Sequence, residues 1–394
     1  MLAIKNGTIF TGTGDVLERG SILIRDGKIQ AVGTELEIPP EAEILDASGC
    51  VVTPGLIDAH THIGVRGEPQ HKGTVPDHTE KGANPVTPHM RLLDAFQPHD
   101  IGVAAARNAG FTTCCTLPGA SNVISGIGFA FKTAPRNTPD EMMIPGTQCM
   151  KFALGENPIS TYGAKDKAPK TRMGVSALIR KALWDARYYS DQLREAESHG
   201  KAVKPDLALQ ALVPVVRGEM LCRFHCHTSA DIATAIRIAR EFDLKFSLEH
   251  VTEGFQLLPE IRDSGAICAV GPLVTAPSKR EIWARSLTTP AAFEQGGIPF
   301  CLIQDGGVMT ALLPTYIGLA IKNGLSHAAA LQAVTSIPAR LLGIDSRVGT
   351  LEAGKDADVA IFDGDPFSNY TNCKYTIVDG QVFPNGSDFQ GKAE

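Results

Sequence analysis

A basic field is missing from this chain. Its 37 lysines and arginines stand against 43 aspartates and glutamates, a formal net charge of −6 with a pI near 6.0. Such a balance offers no electrostatic footprint for nucleic acid, and the charge runs are short and mixed, as on a solvated surface. No apolar run reaches the roughly 18 residues of a membrane span. Met1-Leu2-Ala3-Ile4-Lys5-Asn6-Gly7 also lacks a basic segment followed by a long apolar core, so neither insertion nor secretion is expected. The 9 cysteines form no Cys-x-x-Cys pair, and Cys114, Cys115, Cys222, Cys226, Cys268 and Cys301 lie in apolar segments. Reduced core thiols in a cytoplasmic protein are the expectation. Internal repeats and low-complexity tracts are absent too, and Gly126-Ile127-Gly128 is too small a part of the dinucleotide fingerprint to support a Rossmann fold.

What is present is organised in three parts. With 394 residues, one large unit plus a smaller module is the natural prior. Residues 1–53 read as short strands at 2–4, 7–10, 21–25 and 28–32, with Asp26-Gly27 as a hairpin signal. The same texture returns at 357–362 and 375–378, where Asp379-Gly380 repeats the turn. One small β-sandwich assembled from both termini, 1–53 plus 341–394, is therefore expected. Between them, from 54 to 340, short apolar runs alternate with helical patterns, the form of parallel βα units. Strands are expected at 56–62, 112–117, 127–131, 147–152, 221–226, 245–248, 266–270 and 299–303, with helices clearest at 172–199, 230–242, 253–264 and 309–322. Eight such strands would close a (β/α)8 barrel, whose chemistry sits at the C-terminal strand ends. The segment 64–98 is long, polar and rich in Gly and Pro and reads as a lid; 155–170 is a second candidate for a substrate-covering loop.

The stretch Pro54-Gly55-Leu56-Ile57-Asp58-Ala59-His60-Thr61-His62 carries the chemistry. A buried strand would point histidines at i and i+2 to one side, which is how a metal site begins, although an isolated pair of this kind is also found by chance. Here the other candidates fall at strand ends as well: Lys151 on the fourth, His225 on the fifth, His250 on the sixth and Asp305 on the eighth. In a barrel these ends converge on one mouth. Neutral imidazole and carboxylate suit Zn²⁺ and similar divalent ions, which ionise a bound water near neutral pH. Asp305 would hold that water's proton and then pass it to a leaving nitrogen. His225-Cys226-His227 repeats the i, i+2 pattern, so either imidazole is a candidate ligand. Arg66 and Arg223 fit bidentate pairing with a substrate carboxylate, or a surface or structural role. Lys151 is either a ligand or a snorkelling lysine. His71, His78, His89, His99, His199 and His327 are read as structural.

On these residues the chain resembles the amidohydrolase superfamily, nearly from end to end. The carriers are the Pro54–His62 stretch, Glu249-His250, Asp305, and Gly349-Thr350-Leu351-Glu352-Ala353-Gly354-Lys355-Asp356-Ala357-Asp358 entering the last β-rich segment. The resemblance implies a distorted TIM (β/α)8 barrel with a composite β-sandwich, and points to the imidazolonepropionase-like and Xaa-dipeptidase (prolidase-like) branch. It implies that His60, His62 and Asp305 hold a first metal, that His225 and His250 hold a second, and that Lys151 is carboxylated and bridges them. The ions would be Zn²⁺, with Mn²⁺ or Fe²⁺ as substitutes. His227 is left for substrate contact and catalysis, while Glu156 would either replace Lys151 as bridge or bind a substrate amine. Where many relatives have a histidine after Asp305, this chain reads Gly306-Gly307. The implied activity is hydrolysis of a C–N amide bond in a small molecule, first an Xaa-dipeptide or N-acyl amino acid. A cyclic amide and a deamination are the alternatives, and a non-enzymatic binding protein is the contrasting class. The family also makes a homo-oligomer possible.

Overall fold

The computed structural model describes residues 1–68 and 82–385. The first five strands are β1 (Leu2–Phe10), β2 (Val16–Arg25), β3 (Lys28–Gly33), β4 (Glu43–Asp46) and β5 (Val51–Pro54). Eight follow in the middle: β6 (Leu56–Thr61), β7 (Phe111–Thr116), β8 (Ile124–Lys132), β9 (Cys149–Ala153), β10 (Leu221–Cys226), β11 (Phe246–His250), β12 (Ile267–Val270) and β13 (Phe300–Leu302). The last three are β14 (Val359–Phe362), β15 (Cys373–Val378) and β16 (Gln381–Pro384).

Both ends of the chain build one sheet, ordered β16-β15-β14-β5-β1-β2-β3 with β4 beside β1. Its two Asp-Gly turns have both central residues left-handed: φ is 51° and 73° at Asp26 and Gly27, and 49° and 79° at Asp379 and Gly380. That is the twist hairpins favour. The turns also lie against each other, because a Cβ on Gly27 would come 2.9 Å from the Asp379 carbonyl oxygen. Ala357 sits between them, its N–H donating to the Gly27 carbonyl at 2.8 Å and its own carbonyl accepting from Gly380 at 3.0 Å.

The middle strands form a nearly closed eight-stranded sheet in chain order from β6 to β13. The final gap is sealed without a ladder. At one end Leu302 and Ile57 donate to the carbonyls of Ala333 and Val334; at the other, Asp305 donates to His60 at 3.1 Å and His62 to Gly306 at 2.7 Å. One strand departs from the expected parallel pattern, since β8 runs antiparallel to both β7 and β9. Residues 117–123 between β7 and β8 are too few for a crossover, which takes a dozen or more, so the chain turns straight back. The outer faces of the strands pack against the helices; Phe152 and Phe224 stack there with centroids 4.8 Å apart.

Two expected helices start late, and proline explains both. The pattern at 253–264 is a 3₁₀ turn, Gly254–Gln256, and then a helix Leu258–Ser264 with Pro259 in its first turn. The pattern at 309–322 is a 3₁₀ segment, Val308–Leu312, and then a helix Leu313–Lys322 opened by Pro314. Proline lacks the N–H a helix interior needs and is tolerated at the first helical positions. The loop expected at 155–170 contains a helix, Glu156–Gly163.

Much of the expected lid is wall. Leu92 and Phe96 are buried in the main core, and Val86 and Arg91 form bridges to β8. Gly126 makes that approach possible at φ 120°, because a Cβ there would strike the Met90 carbonyl. Residues 69–81 of the lid expectation, with His71 and His78, lie outside the described residues. Among the described residues no helix is long and apolar enough to cross a membrane.

Candidate functional site

Strand alternation sets most of the site. On β10, Cys222, Phe224 and Cys226 join the outer apolar core, which leaves Arg223 and His225 on the opposite, inner face. His227, just past the strand, continues that phase. On β9, Met150 and Phe152 face outward, so Lys151 faces in, in register with Arg223. Two histidines break the alternation. Ile57 and Ala59 share an apolar cluster with Cys149, Leu221 and Cys301, yet His60 reaches the same interior because the β6–β7 register shifts between Asp58 and Thr61. His250 follows the inward Glu249 directly and escapes the opposite face through left-handed backbone, φ 71° at His250 and 41° at Val251.

The result is two clusters of three potential ligands, His60 with His62 and Asp305, and His225 with His227 and His250. Within each, the ligand atoms lie within 4.8 Å of one another. The clusters adjoin, with the His60 and His250 rings 4.9 Å apart between centroids. Hydrogen bonds on the far nitrogens define the tautomers. His62 Nδ1 donates to the Leu117 carbonyl at 2.7 Å and His250 Nδ1 to the Gly271 carbonyl at 2.8 Å. His60 Nδ1 faces a Glu249 carboxylate oxygen at 2.7 Å. Each therefore turns the lone pair of Nε2 toward the centre, the arrangement a metal-binding imidazole needs. His227 Nδ1 bonds Thr252 Oγ1 at 2.7 Å, and the buried Nε2 atoms of His227 and His250 have no hydrogen-bond partner. Orphaned nitrogens in a buried three-imidazole cluster fit a divalent ion.

Electrostatics agree with that fit. Burial above all pushes the His60, His225 and His227 imidazoles well below their ordinary range and His250 to about 4, so the rings are neutral at pH 7. Lys151 is buried, with Nζ 2.9 Å from His60 Nε2, and burial lowers it to about 8 against the opposing pull of Glu249 and Asp305. Burial would raise Asp305; it is held well below the carboxylate range only by His250, His62 and His60 in their protonated forms, and with those rings neutral a cation at the same place would serve its carboxylate. Its Oδ1 lies 3.3 Å from His60 Nε2 and 3.1 Å from His62 Nε2.

Two expectations are corrected. Arg223 is not a substrate contact: it is fully buried beneath the mouth, its Nε and Nη2 donating to Glu249 at 2.7 and 2.8 Å and Nη2 also to the Ala59 carbonyl at 2.8 Å. Glu156 is not between the clusters. Its N–H donates to Glu281 Oε2 at 2.8 Å and its carboxylate accepts from the Glu281 N–H at 3.4 Å; the neighbouring Asn157 reaches the site instead, 3.3 Å from His225 Nε2.

Sequence reasoning had given no role to several groups. Glu249 ties Arg223 to His60, and its inward phase, shared with Ser247, was available from alternation. Glu281 Oε1 lies 4.0 and 3.9 Å from the Nε2 atoms of His225 and His227 and accepts from Lys279 Nζ at 2.7 Å. Both belong to an aperiodic stretch that carries no sequence signal. The Gly306-Gly307 departure also has a physical account. The Glu68 carboxylate, which accepts from the Val308 N–H at 2.6 Å, occupies the space a Cβ on Gly307 would need. Above the two clusters opens a cavity of about 820 Å³, lined by His62, Lys151, His225, His227 and Asp305 on its floor and by Arg66, Glu68, Lys279 and Arg285 on its walls.

Residues 215–384 match the model of a family described as the amidohydrolase family. A crystal structure of an amidohydrolase from Thermotoga maritima MSB8 superposes with a TM-score of 0.92 at 32% identity, covering 98% of this chain and 100% of that one. The amidohydrolase tasK of Hapsidospora irregularis is 31% identical over 379 residues, which is 90% of this chain, and this chain spans only 38% of that protein. An imidazolonepropionase of Geobacillus kaustophilus is 26% identical, covering 91% of this chain and 87% of that protein.

Proposed function

The chain belongs to the amidohydrolase family, and from that premise we propose that it cleaves the C–N amide bond of an N-acyl amino acid or Xaa-dipeptide. The observation that carries this reading is the pair of adjoining ligand clusters at the floor of one cavity, two of whose buried imidazole nitrogens have no partner. His60, His62 and Asp305 would hold one divalent ion, and His225 and His250 the other, with His227 in the same cluster as a third donor. Zn²⁺ suits this imidazole and carboxylate set, as do Mn²⁺ and Fe²⁺. Such ions, when bound, supply an acidified water and polarise a carbonyl.

The remaining roles belong to the chain's own groups. Asp305 engages His60 and His62 through Oδ1 while its carboxylate borders the cavity. There it takes the proton of the attacking water and returns it to the leaving nitrogen, which departs as an amine. Lys151 is buried beside His60 at the cavity floor. In this reading its neutral amine adds to CO₂, forming an N–C bond and releasing one proton, and the resulting carbamate would serve as an anionic ligand for ions held there. The reading also makes 1–53 plus 341–394 the composite β-sandwich domain. It places the enzyme in the cytoplasm, consistent with cysteines that are all free.

A second reading, hydrolysis of a cyclic amide, is favoured by the 26% identity to an imidazolonepropionase. One panel separates the two. Zn²⁺- and Mn²⁺-loaded protein is assayed against matched dipeptides, N-acyl amino acids and cyclic amides, with Asp305→Asn alongside. Turnover of the acyclic amides, reduced in the variant by about 10²–10⁴-fold as for loss of an acid–base group, is the expected result. Turnover of cyclic amides alone replaces the substrate class, and no turnover by fully loaded protein removes the hydrolase reading.

A further inference from the structure

The cavity walls carry cations of different status. Lys279 Nζ is matched by Glu281 at 2.7 Å and Asn157 at 3.0 Å, and Arg66 Nε lies 3.9 Å from Glu68. Arg285 has no such match. Among the described residues its guanidinium makes one hydrogen bond, from Nη2 to the Thr275 carbonyl, and no carboxylate pairs with it. Partial burial lowers its pKa with no acidic neighbour to offset the effect. The bond to Thr275 ties together the two limbs of the stretch that follows β12, which holds the fork in place and leaves most of its five N–H donors unused. Position adds meaning to this. Arg285 borders the main cavity and also a small recess shared with His250, Thr252 and Gly271, so it stands on the side of the three-imidazole cluster.

A half-buried, uncompensated guanidinium beside a reaction centre is a poor structural element, because desolvating it costs free energy that nothing in the protein returns. A planar anion returns it through two parallel charge-assisted hydrogen bonds. We propose that Arg285 anchors a carboxylate of the substrate, so that the amide cleaved belongs to an anion such as an N-acyl amino acid or a dipeptide with a free C-terminal carboxylate. This rests on the amide-hydrolase reading and narrows it. Arg285 becomes the specificity determinant, Lys279 is already neutralised by Glu281, and the neutral amide of the same skeleton is the molecule the cavity discriminates against.

The test uses binding, which separates this inference from the hydrolase reading. Zn²⁺-loaded full-length protein is titrated calorimetrically with N-acetylglycine, N-acetylalanine and N-acetylphenylalanine and with their primary amides, for the native protein, Arg285→Gln and Arg285→Lys. The glutamine retains an N–H for the Thr275 carbonyl while removing the charge, and zinc content and circular dichroism check that the fold is kept. Native protein is expected to bind acids at least about 10-fold more tightly than amides, and Arg285→Gln to erase most of that ratio. Arg285→Lys recovers part of it, since a point charge lacks the fork. Equal or undetectable binding of acids and amides by native protein overturns the inference, as does a preference for acids that survives Arg285→Gln. Turnover of the same compounds is scored separately, and its absence alone counts against the hydrolase reading.

Discussion

Replacing Glu249 by Met removes one carboxylate that serves Arg223, His60 and Ser247, and the structure separates the consequences for the first two. Arg223 donates to it twice, at 2.7 and 2.8 Å, and both side chains are fully buried. Breaking such a pair from one side leaves a buried guanidinium with only the Ala59 carbonyl and the weak Cys115 Sγ contact, a loss of about 3–5 kcal/mol. The same carboxylate accepts from His60 Nδ1 at 2.7 Å. Losing an outer partner of a metal-ligating histidine weakens metal affinity by about 10–100-fold, or roughly 1.4–2.7 kcal/mol. The double variant Arg223→Met/Glu249→Met distinguishes the terms. Exchanging the whole ion pair for apolar side chains of similar volume is often neutral, so most of the stability returns. His60 still lacks its acceptor, so the metal loss persists. Urea unfolding of metal-stripped protein reads the first quantity, free of ligand linkage, and competition with a chromophoric chelator reads the second. A single variant destabilised by less than about 1 kcal/mol, or a double variant that regains native zinc affinity, refutes the reasoning; the thresholds follow from the same magnitudes.

The opposite end of the barrel offers a purely structural counterpart. Lys132, at the end of β8, lies 3.2, 2.8 and 3.0 Å from Asp356, Asp358 and Asp379 and ties the barrel to the segment entering the terminal sheet. Lys132→Met is expected to destabilise by about 3–5 kcal/mol in urea unfolding with zinc content unchanged, and an unaltered midpoint would contradict it. The pH dependence has a defined sign. Burial would depress Lys132, but Asp358, Asp379 and Asp356 raise it, so its contribution is complete below the ordinary value near ~10.4 and fades as pH climbs through the higher folded value. Asp356, which burial would raise, is instead lowered by Lys132, Lys28 and Arg347, and its contribution holds above ~3.9 and fades as pH falls through the lower folded value. The thiols provide a further check: Cys114, Cys115, Cys149, Cys222, Cys226, Cys268 and Cys301 are buried, and only Cys50 and Cys373 are partly accessible. A thiol-specific chromogenic reagent should label no more than those two in native protein and all nine after denaturation; rapid labelling of more in the native state would disprove the burial.

The chain's linear order determined a good deal. Periodicity of two and the Asp-Gly turns marked the terminal strands, because hairpin turns and half-buried strands are local devices, and Asp26-Gly27 and Asp379-Gly380 adopt the left-handed backbone such turns require. Strand ends likewise pointed to His60, His62, Lys151, His225, His250 and Asp305 as candidate ligands. What local pattern could not express was contact between distant segments. The reversal of β8 depended on a connection too short to cross over. Phe96 turned an expected lid into core by packing on Phe129 and Phe131. Arg223 carried the same charge whether it faced a substrate or Glu249, and only the fold brought that carboxylate to it. His60 and His250 reached the site through a register shift and left-handed backbone, both imposed by neighbouring strands. Arg285 was indistinguishable in the sequence from any surface arginine. Residue type and spacing are properties of the chain alone, so they named the candidate ligands; whether a charge is matched depends on which distant groups pack around it, and only the tertiary structure decided that.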